Sequence, residues 1–385
     1  MMRRTFLKMC TALGLTVPTG ILKAASEREH APGSVLVIGA GAAGLLSGYV
    51  LHQLGIDYQI LEASSAHGGR MKRTNAFTDF PISLGAEWLT TSPAIFETIV
   101  RDPAVQVDVE LVSYDPKASY GFWQDGRLTL GELGAFEYQV FQETSWFDVF
   151  DRYIVPTVAP RIRFDSVVET ITYGGDEVVA QVRGGQRYTA DRVVVTVPLA
   201  VLQAGDLTFS PQLPRAKQRA IESAKVWGGL KVFIEFTEAF YPTFLEFDIQ
   251  PAESGQKLYY DAAYGKSTRA HVLGFFAVGA PADPYLARTG DALREYMLAE
   301  LDEVFSGQAS RSYVQHVAQN WSREPYIKGA YVHDGEDGRR IRTLSEPVAN
   351  KIYFAGDAYT SGQDWGAVHT AAQSALTAVD ALVDA

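Results

Sequence analysis

The sequence has 385 residues, of which 47% are hydrophobic and 21% are charged. This is the composition of a globular protein, and the length is sufficient for two joined domains with large apolar cores. The formal net charge of −11 argues against a nucleic-acid-binding protein, because such proteins usually present a strongly basic surface. Cys10 is the sole cysteine, which excludes disulfides and thiolate metal sites. We predict no metal site.

The amino-terminal residues resemble a bacterial export signal. Arg3 and Arg4 begin a twin-arginine pattern, and a moderately apolar stretch follows from Met9 to Leu22. That stretch is short for a membrane span, which requires about 20 apolar residues. We therefore expect residues 1–25 to direct export of the folded protein to the periplasm, without stable membrane insertion afterwards. The alternative is a basic amino-terminal helix that stays attached to the protein.

A dinucleotide-binding fingerprint begins at Gly39. The apolar run Val35–Ile38 predicts a strand buried on both faces, and the sequence after it reads Gly39-Ala40-Gly41-Ala42-Ala43-Gly44 before an apolar-periodic helix. Gly39 permits the tight turn that such a loop requires. Gly41 lets the backbone approach a pyrophosphate, and Gly44 lets the helix pack close to the strand.

The second predicted strand, Tyr58–Leu61, ends at an acidic residue, Glu62. A carboxylate at this place can accept hydrogen bonds from a ribose diol. The strand, glycine loop, helix, second strand and acid stand in the order that dinucleotide binding requires, which a glycine triplet alone would not establish. The acid favours adenosine without a 2′-phosphate, but it does not distinguish FAD from NAD.

Glu62-Ala63 is followed by Gly68-Gly69-Arg70, and this pattern resembles the flavin-containing amine oxidases. That family includes the monoamine oxidases, the polyamine oxidases and the lysine-specific histone demethylases. The resemblance covers nearly the whole chain after residue 33 and implies FAD as the cofactor. The backbone at Gly69 would lie against the diphosphate, and Arg70 would neutralise its charge.

The same resemblance implies further FAD contacts along the chain. Leu84-Gly85-Ala86-Glu87-Trp88 resembles the segment beside the flavin ring, and Val168 corresponds to the valine whose backbone holds adenine. The helix that opens at Val368 would point its amino terminus at the flavin pyrimidine. Together the cofactor-binding residues that the resemblance implies are Gly39, Gly41, Ala43, Gly44, Glu62, Ala63, Gly69, Arg70, Ala86, Glu87, Val168, Trp321, Gly356, Asp357 and Val368.

Covalent attachment of the flavin is not expected. Ala330 stands where some members of the family attach the flavin through a cysteine, so a cysteinyl bond is excluded. His67 is a less favoured candidate for a histidyl link. We therefore expect non-covalent FAD.

The resemblance also implies three catalytic residues, Lys231, Tyr331 and Trp365. Lys231 matches the family lysine that is bridged by water to flavin N5, whereas most lysines at a strand start are simply solvated. Tyr331 falls where one wall of an aromatic cage stands. Trp365 or, in another alignment, Gln363 would supply the other wall, with core packing as the alternative for Trp365.

The expected fold class is α/β, with a Rossmann-type FAD-binding domain and a substrate domain of mixed sheet and helix. Three segments, residues 34–90, 155–229 and 321–385, would form the FAD-binding domain. Residues 91–154 and 230–320 would form the substrate domain. From Thr91 to Asp151 the sequence is aromatic-rich and irregular, and it predicts short helices and loops.

The expected reaction is oxidation of a primary or secondary small-molecule amine to an imine, with oxygen reduced to hydrogen peroxide. One alternative is a flavin dehydrogenase or desaturase of the same superfamily that passes electrons to a periplasmic quinone or cytochrome. Another is an FAD-bound subunit without turnover. Lys231 favours the oxidase, because the resemblance places that lysine in the oxidase branch.

Overall fold

The computed structural model describes residues 33–249, 255–333, 338–360 and 366–385. The predicted export signal and both candidates for the second cage wall, Trp365 and Gln363, lie outside these residues. The fold is α/β, as expected, and it contains two large sheets and three smaller ones among the described residues.

A five-stranded sheet, in which every pairing is parallel, forms one part of the molecule. Its apolar central strands bury both faces, as is typical of parallel sheets covered on both sides. Helices Ala42–Leu54 and Val368–Val383 pack together on one face. In spatial order the strands are Ile162–Arg163, Asp57–Leu61, Ser34–Ile38, Arg192–Val195 and Ile352–Phe354.

The opposite face of the parallel sheet packs against a four-stranded sheet and short helices. The strands of this smaller sheet are, in order, Arg187–Ala190, Val178–Val182, Val168–Thr172 and Thr208–Ser210. The helices on this side are Leu199–Gln203, Arg215–Ser223 and Gly338–Ser345.

A seven-stranded sheet forms the other large part. Alternate residues of its strand Gly229–Phe236, beginning with Leu230, pack against helix Gly290–Phe305, while Lys231 and Phe233 point to the opposite face. Helices Asp283–Leu286 and Gln308–Ser312 flank the long helix. In spatial order the strands are Tyr313–Asn320, Gly229–Phe236, His271–Gly279, Gly255–Asp261, Phe244–Phe247, Ser119–Gln124 and Arg127–Glu132.

The prediction of only short helices and loops between Thr91 and Asp151 was wrong. Helices Ile95–Val100 and Trp146–Tyr153 are present, but the segment also contains four strands, which are Leu111–Ser113, Ser119–Gln124, Arg127–Glu132 and Gln139–Phe141. The middle two form a hairpin whose turn residues, Asp125 and Gly126, have φ values of 51° and 73°. An Asp-Gly pair between strand-forming residues is a strong hairpin signal, and it was available in the sequence.

Two small sheets complete the fold. Arg73–Thr74 pairs with Ile82–Ser83, and Gln139–Phe141 lies between Trp88–Leu89 and Leu111–Ser113. The remaining helical segments are Val155–Val158 and the 3₁₀ turns Gly69–Met71, Ala159–Arg161, Ala280–Ala282, Trp321–Arg323 and Asp357–Tyr359. None of the helices in the described part of the chain has both the length and the apolar character needed to span a bilayer.

Candidate active site

A cleft of about 1230 Å³ is lined by residues from both large parts of the molecule. This volume exceeds the usual ~300–1,000 Å³ of a small-molecule site, so the cleft can hold a large ligand together with a small one. Every cofactor-binding residue that the resemblance implied lines it, except Gly44. Lys231 and Tyr331 line it as well.

The glycine loop presents backbone to the cleft. Gly39 has φ 107°, and a side chain there would meet the Thr196 hydroxyl at 2.7 Å. Gly41 precedes helix Ala42–Leu54, and a Cβ at Gly41 would meet nothing within 4 Å. Because the first N–H groups of a helix lack partners within the helix, this open space at Gly41 fits a phosphate. Gly44 instead faces the backbone of Gly39, where a Cβ would lie 1.9 Å from the carbonyl oxygen.

Glu62 braces the glycine loop from the end of the second strand. Its Oε2 accepts a hydrogen bond from the Ala40 N–H at 2.6 Å, and its Oε1 accepts from the Ser64 N–H and hydroxyl at 2.9 and 2.6 Å. Glu62 and Ala63 both line the cleft. The position is therefore compatible with the expected ribose contact, which stays a prediction.

Arg70 and Asp357 form a two-pronged ion pair beside the loop. Arg70 Nη1 and Nη2 lie 3.0 and 2.5 Å from the two carboxylate oxygens, and Nη1 also donates to the Ala330 carbonyl at 2.5 Å. The Arg70 carbonyl in turn accepts the Ala86 N–H at 3.0 Å. Arg70 therefore joins the segments of Ala86, Ala330 and Asp357 at the cleft wall, and the ion pair keeps its guanidinium near the place expected for the diphosphate.

Lys231 is not a solvated lysine. Its Nζ lies 2.5 Å from Glu87 Oε2 and 4.7 Å from the centre of the Trp88 ring. The Tyr260 hydroxyl donates to the same Glu87 oxygen. Burial lowers the pKa of Lys231 below its ordinary value, and the Glu87 carboxylate opposes that change. Glu87, expected as a flavin neighbour, thus forms a charged pair with the expected catalytic lysine.

The register of the seven-stranded sheet places Lys231 in a row of residues that line the cleft. Lys231 pairs with Phe276 on the next strand. Phe276 pairs with Leu258 on the strand after that, and Leu258 pairs with Glu246. Directly paired residues project to the same face of a sheet. Neighbouring strands lie about 4.8 Å apart, so the row extends some 14 Å from Lys231 to Glu246. All four residues line the cleft.

Tyr331 lies beside the same row. Its ring is nearly parallel to that of Phe276, with an interplanar angle of 12° and ring centres 6.5 Å apart, and its hydroxyl donates to Gln256 Oε1 at 3.4 Å. Burial raises the pKa of Tyr331 well above its ordinary value, so the phenol is neutral across the physiological range. Tyr331 can therefore contribute a flat, uncharged wall.

Two other expected residues have mainly supporting contacts. The Trp321 indole N–H donates to the Leu84 carbonyl at 3.0 Å and so fixes the segment that carries Glu87. His67 lines the cleft, where its Nε2 lies 3.1 Å from Asp151 and its ring stacks on Phe147. Val168 and Val368, in contrast, line the cleft at the start of a strand and of a helix.

Sequence reasoning missed Tyr260, Phe276 and Gln256. Gln256, Leu258 and Tyr260 alternate along one strand, and this period-2 pattern could have indicated a strand with one face toward a site. Nothing local could have shown that Lys231 lies on this same face of the sheet, because that depends on the pairing of strands far apart in sequence.

The site fits a flavin dinucleotide. An uncapped helix amino terminus, an open position at Gly41 and the Arg70 guanidinium line one part of the cleft. Lys231 and Tyr331 line another, with apolar surface between them. The arrangement offers anion binding beside an apolar, aromatic space in which electron transfer to a flavin ring can occur.

Comparisons with known proteins agree with this geometry. The sequence profile of the flavin containing amine oxidoreductases matches residues 150–383, and that of the NAD(P)-binding Rossmann-like domain matches residues 37–101. The chain belongs to the flavin-containing amine oxidoreductase family. This confirms the resemblance seen in the sequence and, with it, FAD as the cofactor.

Individual relatives are distant. The chain is 24% identical to mouse lysine-specific histone demethylase 1B, over 89% of this chain and 52% of that protein. It is also 24% identical to polyamine oxidase 3 of Oryza sativa subsp. japonica, over 92% and 90% of the two chains. Cyclohexylamine oxidase from Brevibacterium oxydans IH-35A superposes with a TM-score of 0.75 at 14% identity, covering 91% of this chain and 99% of that one. The chain spans about half the length of the demethylase that it matches.

Proposed function

We propose that this protein is an FAD-dependent amine oxidase. A primary or secondary amine loses two hydrogens to become an imine, oxygen gains them as hydrogen peroxide, and water hydrolyses the imine to a carbonyl compound and an amine or ammonia. The observation that carries the proposal is that the glycine loop, Arg70, Lys231 and Tyr331 all line one cleft. Membership of the family supports it.

The first task of the chain's residues is to hold the cofactor. The backbone at Gly41 and the amino terminus of helix Ala42–Leu54 would bind the diphosphate, and Arg70 would balance its charge. Asp357 keeps the Arg70 guanidinium in place. When bound, FAD accepts the two electrons of the amine oxidation and passes them to oxygen.

The second task is to orient the amine and to assist the reduction of oxygen. Tyr331, with Phe276 beside it, offers an aromatic wall against which an amine can be held with its α-carbon aligned for oxidation. The Lys231 ammonium would hold a water molecule and stabilise the negative charge that develops as oxygen is reduced. Because an amine reacts in its neutral form, activity should rise with pH.

The test is a panel of small amines incubated with the purified protein, with hydrogen peroxide and oxygen consumption measured together. We expect one peroxide for each amine oxidised. If no amine bleaches the visible flavin band under anaerobic conditions, the proposal is wrong. Rapid bleaching followed by slow recovery in air would instead favour the dehydrogenase that uses a quinone or cytochrome.

We also propose that FAD is held without a covalent bond. Ala330 offers no nucleophile, and its carbonyl accepts a hydrogen bond from Arg70. Acid precipitation should therefore release intact FAD into the supernatant. Colour that stays with the precipitate would contradict this and would direct attention to His67, which lines the cleft.

We propose export to the periplasm from the sequence alone. Arg3 and Arg4 carry the pattern, so replacing both with lysine should retain the protein in the cytoplasm. An unchanged periplasmic yield would show that residues 1–25 have another role.

A further inference from the structure

Glu87 accepts two hydrogen bonds on one oxygen atom. The Lys231 ammonium lies 2.5 Å from Oε2, and the Tyr260 hydroxyl donates to the same oxygen. The three residues come from a loop-like segment and from two strands that are not adjacent in the seven-stranded sheet. A shared oxygen fixes the carboxylate on both sides and leaves little freedom for the lysine.

The surroundings of this cluster make a protonated lysine costly without a partner. The side chain of Lys231 is 5% exposed and that of Glu87 is 13% exposed. An isolated ammonium in such a place would lose its proton, because burial disfavours the charged form. The Glu87 carboxylate and the faces of Trp88 and Tyr260, 4.7 and 5.5 Å away, all favour the ammonium.

Other charged and titratable groups lie near Glu87. Lys266 is influenced by both Glu87 and Glu143, and its Nζ donates to the Phe141 carbonyl. Burial raises the pKa of the Tyr114 and Tyr260 phenols well above the ordinary value, so neither supplies a negative charge to the lysine. Glu87 is the carboxylate that contacts the Lys231 ammonium directly.

The buried ion pair of Lys231 and Glu87 needs a reason besides stability. Replacing a buried ion pair by apolar residues of similar size is often neutral or stabilising, so stability alone does not explain why charge is kept here. Both members of the pair line the cleft, on the wall that also carries Tyr331. The charge is therefore available to a ligand in the cleft.

We propose that Glu87, held by Tyr260, is a positioning residue that keeps Lys231 protonated and fixed in the cleft wall, so that flavin reoxidation depends on the pair. The proposal rests on the role given to Lys231 in the proposed oxidase. It goes beyond that role because it attributes the protonation and the position of Lys231 to Glu87, a residue 144 positions away in sequence.

The first experiment measures reoxidation without any amine. The FAD-loaded protein is reduced with dithionite and mixed with oxygenated buffer at a series of pH values. The ammonium form is active, so the rate should be high at low pH and should fall as the lysine loses its proton. In Glu87→Gln the midpoint of this fall should move to lower pH by about 1 to 3 pH units, because a neighbouring opposite charge has been removed.

Two further variants separate positioning from general damage. Glu87→Asp keeps a carboxylate and should largely restore the wild-type pH profile. Tyr260→Phe removes one hydrogen bond but no charge, so it should shift the midpoint less than Glu87→Gln does. A wild-type pH profile in Glu87→Gln would overturn the proposal, as would equal profiles for Glu87→Gln and Glu87→Asp.

The second experiment needs no turnover. The thermal midpoint of the FAD-loaded protein is followed against pH for wild type, Glu87→Gln and the double variant Glu87→Gln/Lys231→Met. Without Glu87 the folded state releases the lysine proton at lower pH than the unfolded state does, so stability lost at low pH should be regained as pH rises. Lys217 and Lys266 also have pKa values lowered by burial, so they give every variant a background rise with pH. The recovery due to Lys231 is therefore the part that is absent from the double variant, which has no lysine at this position to titrate.

The outcomes distinguish this proposal from the proposed function. Failure of every amine to react would overturn the oxidase, while leaving the pH dependence of the thermal midpoint as a test of the pair. If Glu87→Gln lowers the reoxidation rate and the thermal midpoint by the same amount at every pH, the pairing role is overturned even in an active oxidase. If Glu87→Gln does not fold, the double variant and Glu87→Asp still decide: folding of both supports the pair, and failure of both contradicts it.

Discussion

Two lysines are buried to nearly the same degree in two regions of this molecule, but they have different kinds of partner. Lys217, 3% exposed, lies behind the parallel sheet, where its Nζ donates to the carbonyls of Leu344 and Glu346 at 2.7 and 2.6 Å and lies 4.1 Å from the centre of the Phe354 ring. Lys231, 4% exposed, lies in the cleft wall and is paired with a carboxylate.

The difference shows that burial of a charge does not by itself identify a functional residue. Lys217 binds carbonyls at the end of helix Gly338–Ser345, so its ammonium joins two packed elements. Lys231 has a partner that also lines the cleft. The glycine loop shows a similar contrast between a position fixed by packing and a position open to a ligand. A Cβ at Gly44 would meet the backbone of Gly39, whereas a Cβ at Gly41 would meet open space.

The largest expected effect is at Gly44. A Cβ there would lie 1.9 Å from the Gly39 carbonyl oxygen, so Gly44→Val should yield no cooperatively folded protein. Gly41→Val should fold, because a Cβ at this position meets nothing within 4 Å, but its side chain should occupy the place of the pyrophosphate and abolish FAD binding. Circular dichroism melts and the flavin-to-protein absorbance ratio measure the two effects. A yellow Gly41→Val protein at full stoichiometry would show that the loop is misassigned.

The next effect concerns Lys231→Met. Methionine nearly matches the length of lysine but removes the ammonium, so reoxidation of reduced flavin by oxygen should slow by a factor on the order of 10² or more. Anaerobic reduction by the amine should change less. Stopped-flow absorbance of the visible flavin band follows the two half-reactions separately.

The control for this variant is the double variant Lys231→Met/Glu87→Gln. Lys231→Met alone leaves the Glu87 carboxylate buried without its cation, which costs about 3–5 kcal/mol in typical proteins. The double variant should recover much of the thermal stability while remaining slow in reoxidation. If either variant is reoxidised at the wild-type rate, Lys231 has a structural role only, as Lys217 does.

The smallest effect on chemistry is expected for Lys217→Met. Burial lowers the pKa of Lys217 to about 7 from 10.5, so between these values the unfolded state binds more protons than the folded state. Stability contributed by this residue therefore rises with pH across that window. Lys217→Met should remove this rise in the thermal midpoint and leave reoxidation within about twofold of wild type, as for a residue outside the catalytic machinery. A large loss of reoxidation would remove the distinction between the two lysines.

Much of the parallel sheet and its loop could be predicted from sequence. The predicted strand Val35–Ile38 is found as Ser34–Ile38, and the predicted second strand Tyr58–Leu61 as Asp57–Leu61. Apolar runs and glycines define these elements locally. The hairpin at Asp125-Gly126 was missed although two local signals indicated it, the turn residues themselves and the alternation of Leu128 and Leu130 with polar residues in the strand Arg127–Glu132.

The candidate site also contains one part that could be predicted from sequence and one part that could not. The sequence alone determined the glycine loop, because its turn, open position and close packing follow from glycines within six residues of one another. Only the tertiary structure decided that Glu87 meets Lys231 and Tyr260, which lie 144 and 173 residues further along the chain. Strand register and the packing of separate sheets create that meeting, and no periodicity of a short segment encodes the register of one strand against a distant one.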